Sequence, residues 1–306
     1  MEGITDEAFR KVIHKLYPEW DYLACDFLRV PSAGTYPLKH LVRHMGKELF
    51  EIDWIKEKTM YQILTAHKSF TTAMVSDLEY LEIPWLDLNL GCPSPTVCKN
   101  RGGSFLLTDL TTLRPLIKNV RSLFKGRFSC KIRVGYDDAN NFTDIISMLN
   151  DEGVDLITVH GRTRAQMYKE PAEWKYIAQA VAISKVPIIG NGDVWKASDI
   201  SRMMNETGCH GVMVARGALK SPWMARDFKN GQFTETNAER IIKMKTFFAD
   251  YRAELEAENI TMRGLLKQSK SVSRFMLQDM DNGEALRRKL ILSQTVPEFY
   301  TELEKI

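Results

Sequence analysis

A cysteine bracketed by glycine and proline stands at the end of an apolar run in DLNLGCPSPTVCKNRGGSFLL, residues 87–107. Gly91 and Pro93 each restrict the backbone around Cys92, so the thiol is held at a corner rather than left on a mobile loop. Lys99 and Arg101 follow within the same loop, and cations beside a thiol favour thiolate or acid–base chemistry. The ordinary alternative is a buried cysteine next to a turn. Asn89 precedes the corner on the same run.

Other residues able to do chemistry fall at the ends of short apolar runs. They are Gln62, Lys131 with Arg133, His160 with Arg162, Asn191-Gly192-Asp193, and Ala215-Arg216-Gly217. Taken singly, Lys131 reads as a paired or snorkelling lysine and His160 as a satisfied core histidine. Placed together on successive strand ends they make one polar, cationic mouth. Gly192 and Gly217 allow backbone amides to approach a phosphate, and Arg216 adds charge. A phosphate, an amide at Gln62 and a cation near a ring suit flavin mononucleotide, with Lys131 at the N1–C2=O edge. Spacing alone does not separate a flavin from a phosphorylated sugar.

The elements that must carry these residues alternate. Strands are expected at Tyr22–Leu28, Met60–Leu64, Trp85–Leu90, Ser129–Val134, Leu156–His160, Val186–Ile189 and Gly211–Ala215. Each is short and mostly apolar, as in strands buried on both faces. Amphipathic helices are expected between them at Leu110–Phe124, Phe142–Glu152, Trp174–Ile183 and Ala197–Glu206. This alternation predicts a parallel sheet, and its number of units an α/β fold of the (β/α)8 TIM-barrel type, whose chemistry lies at the C-terminal strand ends. The chain opens on what reads as a strand-to-helix loop, with Thr5 or Asp6 capping the next helix. The first barrel strand is therefore expected upstream of Met1.

After about Gly231 the strands stop. Helices are expected over Glu239–Glu258, Thr261–Asp279, Glu284–Leu292 and Pro297–Ile306, giving a barrel over 1–231 and an all-helical domain over 232–306. Arg263, Lys267, Lys270 and Arg274 recur at i, i+4, i+7 and i+11, which at roughly 100° per residue places them on one narrow helix face. Leu265, Leu266, Val272, Phe275 and Met276 fall opposite. A solvated helix face usually mixes signs. This one is purely cationic, which points to phosphate-backbone contact.

Composition sets the outer bounds. The 306 residues carry a net charge of +3, too weak by itself to announce nucleic acid. No run reaches the length needed to span a bilayer. The opening residues do not read as a signal peptide. Five scattered cysteines argue against a disulfide framework and for a reducing cytoplasm, and no ligand cluster completes a zinc site.

The segments MEGITDEAFR, LNLGCPSPTV, CKIRVGYDD, VHGRTRAQMY, IGNGDVW and GVMVARGAL together resemble the tRNA-dihydrouridine synthases over essentially the whole chain. The likeness is nearest to the bacterial branch acting at tRNA position 16. It implies an FMN-dependent, NADPH-driven oxidoreductase that reduces the C5=C6 bond of a uridine in the tRNA D-loop. By that resemblance reduced flavin delivers hydride to C6, Cys92 is the general acid that protonates C5, and Asn89 hydrogen-bonds the base. Met1, Gln62, Lys131, His160, Asn191, Gly192, Asp193, Arg216 and Gly217 match flavin-binding positions, and Arg162 helps hold substrate. The helical domain would bind tRNA through Arg263, Lys267, Lys270 and Arg274. NAD(P)H and tRNA are the expected partners, with no membrane and no metal, and the protein is expected to be a monomer. Two other readings are a flavin barrel for a free pyrimidine and a non-catalytic RNA-binding barrel. The cationic helix speaks against the first; Cys92, Lys131 and His160 speak against the second.

Overall fold

The computed structural model describes residues 3–66 and 68–306. Its strands are β1 (Leu23–Ala24), β2 (Leu28–Arg29), β3 (Thr59–Leu64), β4 (Trp85–Leu90), β5 (Arg127–Arg133), β6 (Leu156–His160), β7 (Ile188–Asn191) and β8 (Gly211–Met213). All pairings are parallel and follow chain order from β3 to β8, with β1 and β2 both on β3. Helices Lys68–Tyr80, Leu110–Leu123, Phe142–Asp151, Lys175–Ile183 and Ala197–Thr207 come between the strands. The chain thus has the strand–helix alternation and all-parallel sheet of a TIM barrel, followed by helices.

Three expected strands are corrected. Tyr22–Leu28 is not one strand but the two short pieces β1 and β2. Ala24 pairs with Met60 while Leu28 pairs with Ile63, so four steps on one side match three on the other. The extra residue is a bulge, which restores Leu23 and Leu28 to the same side of the sheet. The strand expected at Val186–Ile189 starts at Ile188, because Pro187 has no N–H to give the ladder and only its carbonyl is used, by Ile157 N at 3.1 Å. The last strand is shorter than expected and ends at Met213.

The central strands are buried on both faces, as expected, but the two faces differ in kind. Register places Gln62 beside Asp87, Asp87 beside Ser129, Asn89 beside Lys131, Lys131 beside Thr158, Arg133 beside His160, and His160 beside Asn191. Register partners in a parallel sheet share a face. One face therefore carries these polar residues, while Leu86, Leu88, Phe128, Ile132, Ile157 and Val159 line the other, all buried. The apolar face meets the helices, whose Leu113, Leu116, Ile117, Ile145, Ile146 and Leu149 are buried too. Burying each such side chain contributes about 1.5–3 kcal/mol. Polar residues at the ends and in the middle of the strands are thus held by an apolar wall that they do not build.

By contact density the chain divides into two compact units. One comprises Tyr22–Asp193 and Ile200–Met213; the other gathers the chain up to Asp21, Val194–Asp199 and Val214–Ile306. In the second unit Asp6, of the two expected caps, starts the helix Glu7–Leu16, its carboxylate accepting from Phe9 N at 2.8 Å. That helix packs on Asn237–Ala257, with Phe9 and Phe247 ring centroids 5.5 Å apart. The C-terminal helices Asn237–Ala257, Met262–Met276 and Val296–Glu304 each begin at a threonine cap, Thr236, Thr261 and Thr295. Among the described residues no helix is long and apolar enough to cross a membrane.

Candidate active site

β4 ends at Leu90 and the chain turns at Gly91 into Cys92. The corner is tied at both backbone polar atoms of one residue, Gly91. The Gly91 N–H donates to Asn89 Oδ1 at 3.1 Å, and its carbonyl accepts from Arg133 Nε at 3.0 Å. The Cys92 carbonyl accepts from Ser104 N at 3.2 Å and Ser104 Oγ at 2.8 Å. Gly103, at φ +57, lies so close to this corner that a β-carbon would stand 3.0 Å from the Cys92 carbonyl oxygen and the Cys92 Cβ. Gly103 is therefore needed to seat the cysteine. Of the five cysteines, Cys92 alone is not buried. Cys98 lies under the loop, its thiol 3.5 Å from Ser104 Oγ.

Lys99 and Arg101, expected to flank the thiol electrostatically, are both exposed. Lys131 and Arg133 of β5 also interact electrostatically with Cys92. Arg133 is buried and committed: besides Gly91 it donates to the carbonyls of Thr163 at 2.7 Å and Met167 at 3.0 Å, and it stacks 5.2 Å from the Tyr168 ring. Lys131 makes no hydrogen bond or ion pair among the described residues. Burial first, then the neighbouring Arg133, push its ammonium down to about 8, against the pull of Asp87 and Cys92.

Below this rim runs a chain of hydrogen bonds. Asn89 Nδ2 donates to Gln62 Oε1 at 2.8 Å, Gln62 Nε2 to Asp87 Oδ2 at 2.7 Å, Ser129 Oγ to Asp87 Oδ1 at 2.6 Å, and Trp85 Nε1 to Ser129 Oγ at 2.8 Å. Asp87 is fully buried, and burial pushes its carboxyl up to about 6 although Ser129, Gln62 and Lys131 favour the anion. Thr158, in register beside Lys131, is also fully buried, and its hydroxyl has no hydrogen-bond partner among the described residues. Sequence reasoning missed Asp87, Ser129 and Thr158. The signal was there, as every second residue of an otherwise apolar strand.

On the next two strands, His160 lies in register between Arg133 and Asn191, with Arg162 Nη1 3.5 Å from its Nε2. Arg162 is buried and forms an ion pair with Asp193 at 2.6 Å, and Asp193 also accepts from Ala172 N at 2.8 Å. Asn191 Nδ2 donates to the Met213 carbonyl at 2.8 Å. Gly192 takes φ +120, and a β-carbon there would press on Ala172 Cβ at 2.7 Å and on the His160 ring at 3.2 Å. Gln62, Asn89, Cys92, Lys131, His160, Arg162, Asn191, Gly192 and Asp193 are thus all in one compact unit, in the C-terminal halves of β3 to β7 or in the turns just past them.

The remaining expected site residues among those described lie in the other unit. Arg216 opens the short helix Arg216–Lys220 and stacks 4.5 Å over the Trp195 ring. Gly217 is required by packing, since a β-carbon would fall 2.2 Å from the Val194 carbonyl oxygen. Arg263, Lys267 and Arg274 are exposed and Lys270 half-buried on Met262–Met276, with Leu265, Val272 and Met276 buried opposite. None of the four cations has an ion pair among the described residues. Met1 lies outside the described residues.

The family model described as Dihydrouridine synthase (Dus) matches residues 1–305. A tRNA-dihydrouridine(16) synthase of Pseudomonas syringae pv. tomato is 35% identical over 258 residues, covering 81% of this chain and 80% of its own. A tRNA-dihydrouridine(16) synthase of Shewanella oneidensis is 27% identical over 251 residues, covering 81% and 79%. Among solved structures, histamine dehydrogenase from Rhizobium sp. 4-9 superposes with a TM-score of 0.54 at 9% identity, over 81% of this chain but only 46% of that one. That likeness is one of fold.

Proposed function

The chain belongs to the dihydrouridine synthase family, and from that premise we propose that it reduces a uridine of the tRNA D-loop to dihydrouridine, with FMN as cofactor and NADPH as reductant. Position 16 is the favoured target, on the names of the two relatives above.

The observation that carries this reading is the shared rim of Cys92 and Lys131. The residue before the thiol is fixed through Asn89, and Asn89 is the direct register partner of Lys131. The polar face fits a flavin ring: Lys131 has an ammonium to offer a carbonyl edge, and the Thr158 hydroxyl beside it is buried without a partner among the described residues. Gln62, His160, Asn191, Gly192, Asp193, Arg216 and Gly217 complete the proposed flavin set. When bound, the flavin supplies hydride to C6 of the uracil ring.

The chain's own residues do the rest. Hydride addition builds enolate charge on the conjugated carbonyl, which donors such as the second Asn89 amide N–H would stabilise. Cys92 would hold a proton for C5 and release it from Sγ as that carbon gains electron density. The base must leave its stack, at a cost of a few kcal/mol. Phosphate contacts from Arg263, Lys267, Lys270 and Arg274 in residues 232–306 would offset that cost. Arg162, oriented by its pair with Asp193, would help hold substrate at the rim. The protein would act as a monomer.

The test is the visible spectrum of purified protein, followed by NADPH and then unmodified tRNA. Flavin bands that bleach with NADPH and recover on adding tRNA are expected. A protein that cannot be loaded with FMN would overturn the reading.

A further inference from the structure

The hydrogen-bond chain beneath the rim has a direction, and one residue sets it. Gln62 and Asn89 are neutral amides, and either could be turned end for end if only their shapes mattered. Asp87 removes that freedom. Its ionised carboxylate has no hydrogen to donate, so it accepts from Ser129 Oγ and from Gln62 Nε2. Gln62 must then show its carbonyl oxygen to Asn89, which obliges Asn89 to donate with Nδ2. That leaves Asn89 Oδ1 for the Gly91 N–H. Reversing the chain would set the Asn89 amide group against the Gly91 N–H, donor facing donor.

We propose that Asp87 is a positioning residue that sets the sense of the Gln62–Asn89 amide pair and, through the Gly91 peptide, the seat of Cys92. This rests on the reading of Cys92 as the proton donor. In the set sense each amide keeps one further N–H, and both are the kind of donor that uracil or flavin carbonyls take. Asp87 touches neither ring. It acts through groups that would, and its burial keeps water from supplying a competing donor. Arg133 holds Gly91 by its carbonyl, so without Asn89 this residue would keep only one of its two backbone ties.

The experiment uses the full chain and two variants. Asp87→Asn replaces an obligate acceptor by a group of the same shape that can also donate. Gln62→Met cuts the relay and leaves the carboxylate in place. Two readouts do not depend on turnover. One is hydrogen exchange at the Gly91 amide; the other is the rate of iodoacetamide alkylation at Cys92, the one cysteine of five that is not buried. Loss of one hydrogen bond should speed exchange at Gly91 by about tenfold in both variants. Cys92 alkylation should change in both, while exchange at the β5 amides stays put. In Asp87→Asn loaded with FMN, kcat for tRNA should fall about 10–100-fold with tRNA affinity unchanged. Ser129→Ala, which removes a donor without altering the sense, should leave Gly91 exchange near that of the parent.

Unchanged Gly91 exchange and Cys92 alkylation in the variants would overturn the proposal. If Asp87→Asn does not fold, the same null result in Gln62→Met alone would do so. A parent that fails to load FMN or reduce tRNA would instead overturn the functional reading, and the exchange measurement would still decide the role of Asp87.

Discussion

Arg133 and Gly91 are joined across two strands: the arginine Nε donates to the glycine carbonyl at 3.0 Å, one residue before Cys92. The end of β5 thereby fixes the corner at the end of β4, and the same strand brings Lys131 into the electrostatic range of the thiol. A reactive group on a corner is only as well placed as the peptide that carries it.

Cys92→Ala should retain FMN and tRNA binding while losing turnover. General acid catalysis contributes about 10²–10⁴-fold, and a loss in that range is expected in single-turnover reoxidation of the reduced enzyme by tRNA. Full reoxidation in the variant would remove Cys92 from its role.

The Arg162–Asp193 pair should show itself in stability. Arg162 is 4% exposed at its side chain and Asp193 24%, so removing the arginine strands a partly buried carboxylate. Arg162→Ala should cost about 2–3 kcal/mol, near the lower end for a broken buried pair, read by urea denaturation. A variant as stable as the parent but with weakened tRNA affinity would leave Arg162 with substrate contact alone.

Two groups, buried Asp87 and half-buried Lys131, give opposite pH signatures in the flavin-free protein. Asp87 is raised to about 6 in the fold, above its unfolded value, so the native state holds the extra proton. Its contribution is fully present below about pH 4 and is lost as pH rises through 6. Lys131 is lowered to about 8, below its unfolded value, so the unfolded state holds the extra proton above that pH. Its contribution is present above about pH 10.4 and lost as pH falls through 8. Relative to Lys131→Met, the parent should therefore gain stability between pH 8 and 10 at up to about 1.4 kcal/mol per pH unit. Relative to Asp87→Asn, it should lose stability between pH 4 and 6. Parallel curves for parent and variants would show that neither group is shifted.

Reversing Arg263 and Lys270 to glutamate should weaken tRNA binding and reduce the slope of log affinity against log salt by about 1–2. NADPH-driven bleaching of the flavin should be unaffected. Unchanged affinity would make the helix face ordinary solvated surface.

Much of this was legible in the chain. The Gly91-Cys92-Pro93 corner, the strand ends that carry Lys131 and His160, and the one-sided cationic helix all rest on local pattern, and local pattern is what a sequence displays. The bulge between β1 and β2 was not legible, because it is a mismatch of count between two strands rather than a property of either. Nor was the Arg162–Asp193 pair, whose members are 31 residues apart and meet only through the turns that follow β6 and β7. The helix Glu7–Leu16 looked like a barrel helix by its position. It clusters with the C-terminal helices because Phe9 finds Phe247, more than two hundred residues away. Asp87 was hidden differently, as a charge within a strand that otherwise reads as apolar.

The separation of β4, β5 and β6 into an apolar outer set and a mostly polar inner set has an evolutionary consequence. A change at Leu86, Leu88 or Ile132 is answered by the helices, and a change at Asn89, Lys131 or Thr158 by whatever occupies the mouth. Because the two sets alternate residue by residue, one ribbon can conserve its architecture while its chemistry drifts. New specificity would then accumulate at odd-numbered positions of β5, where a mutation leaves the wall standing.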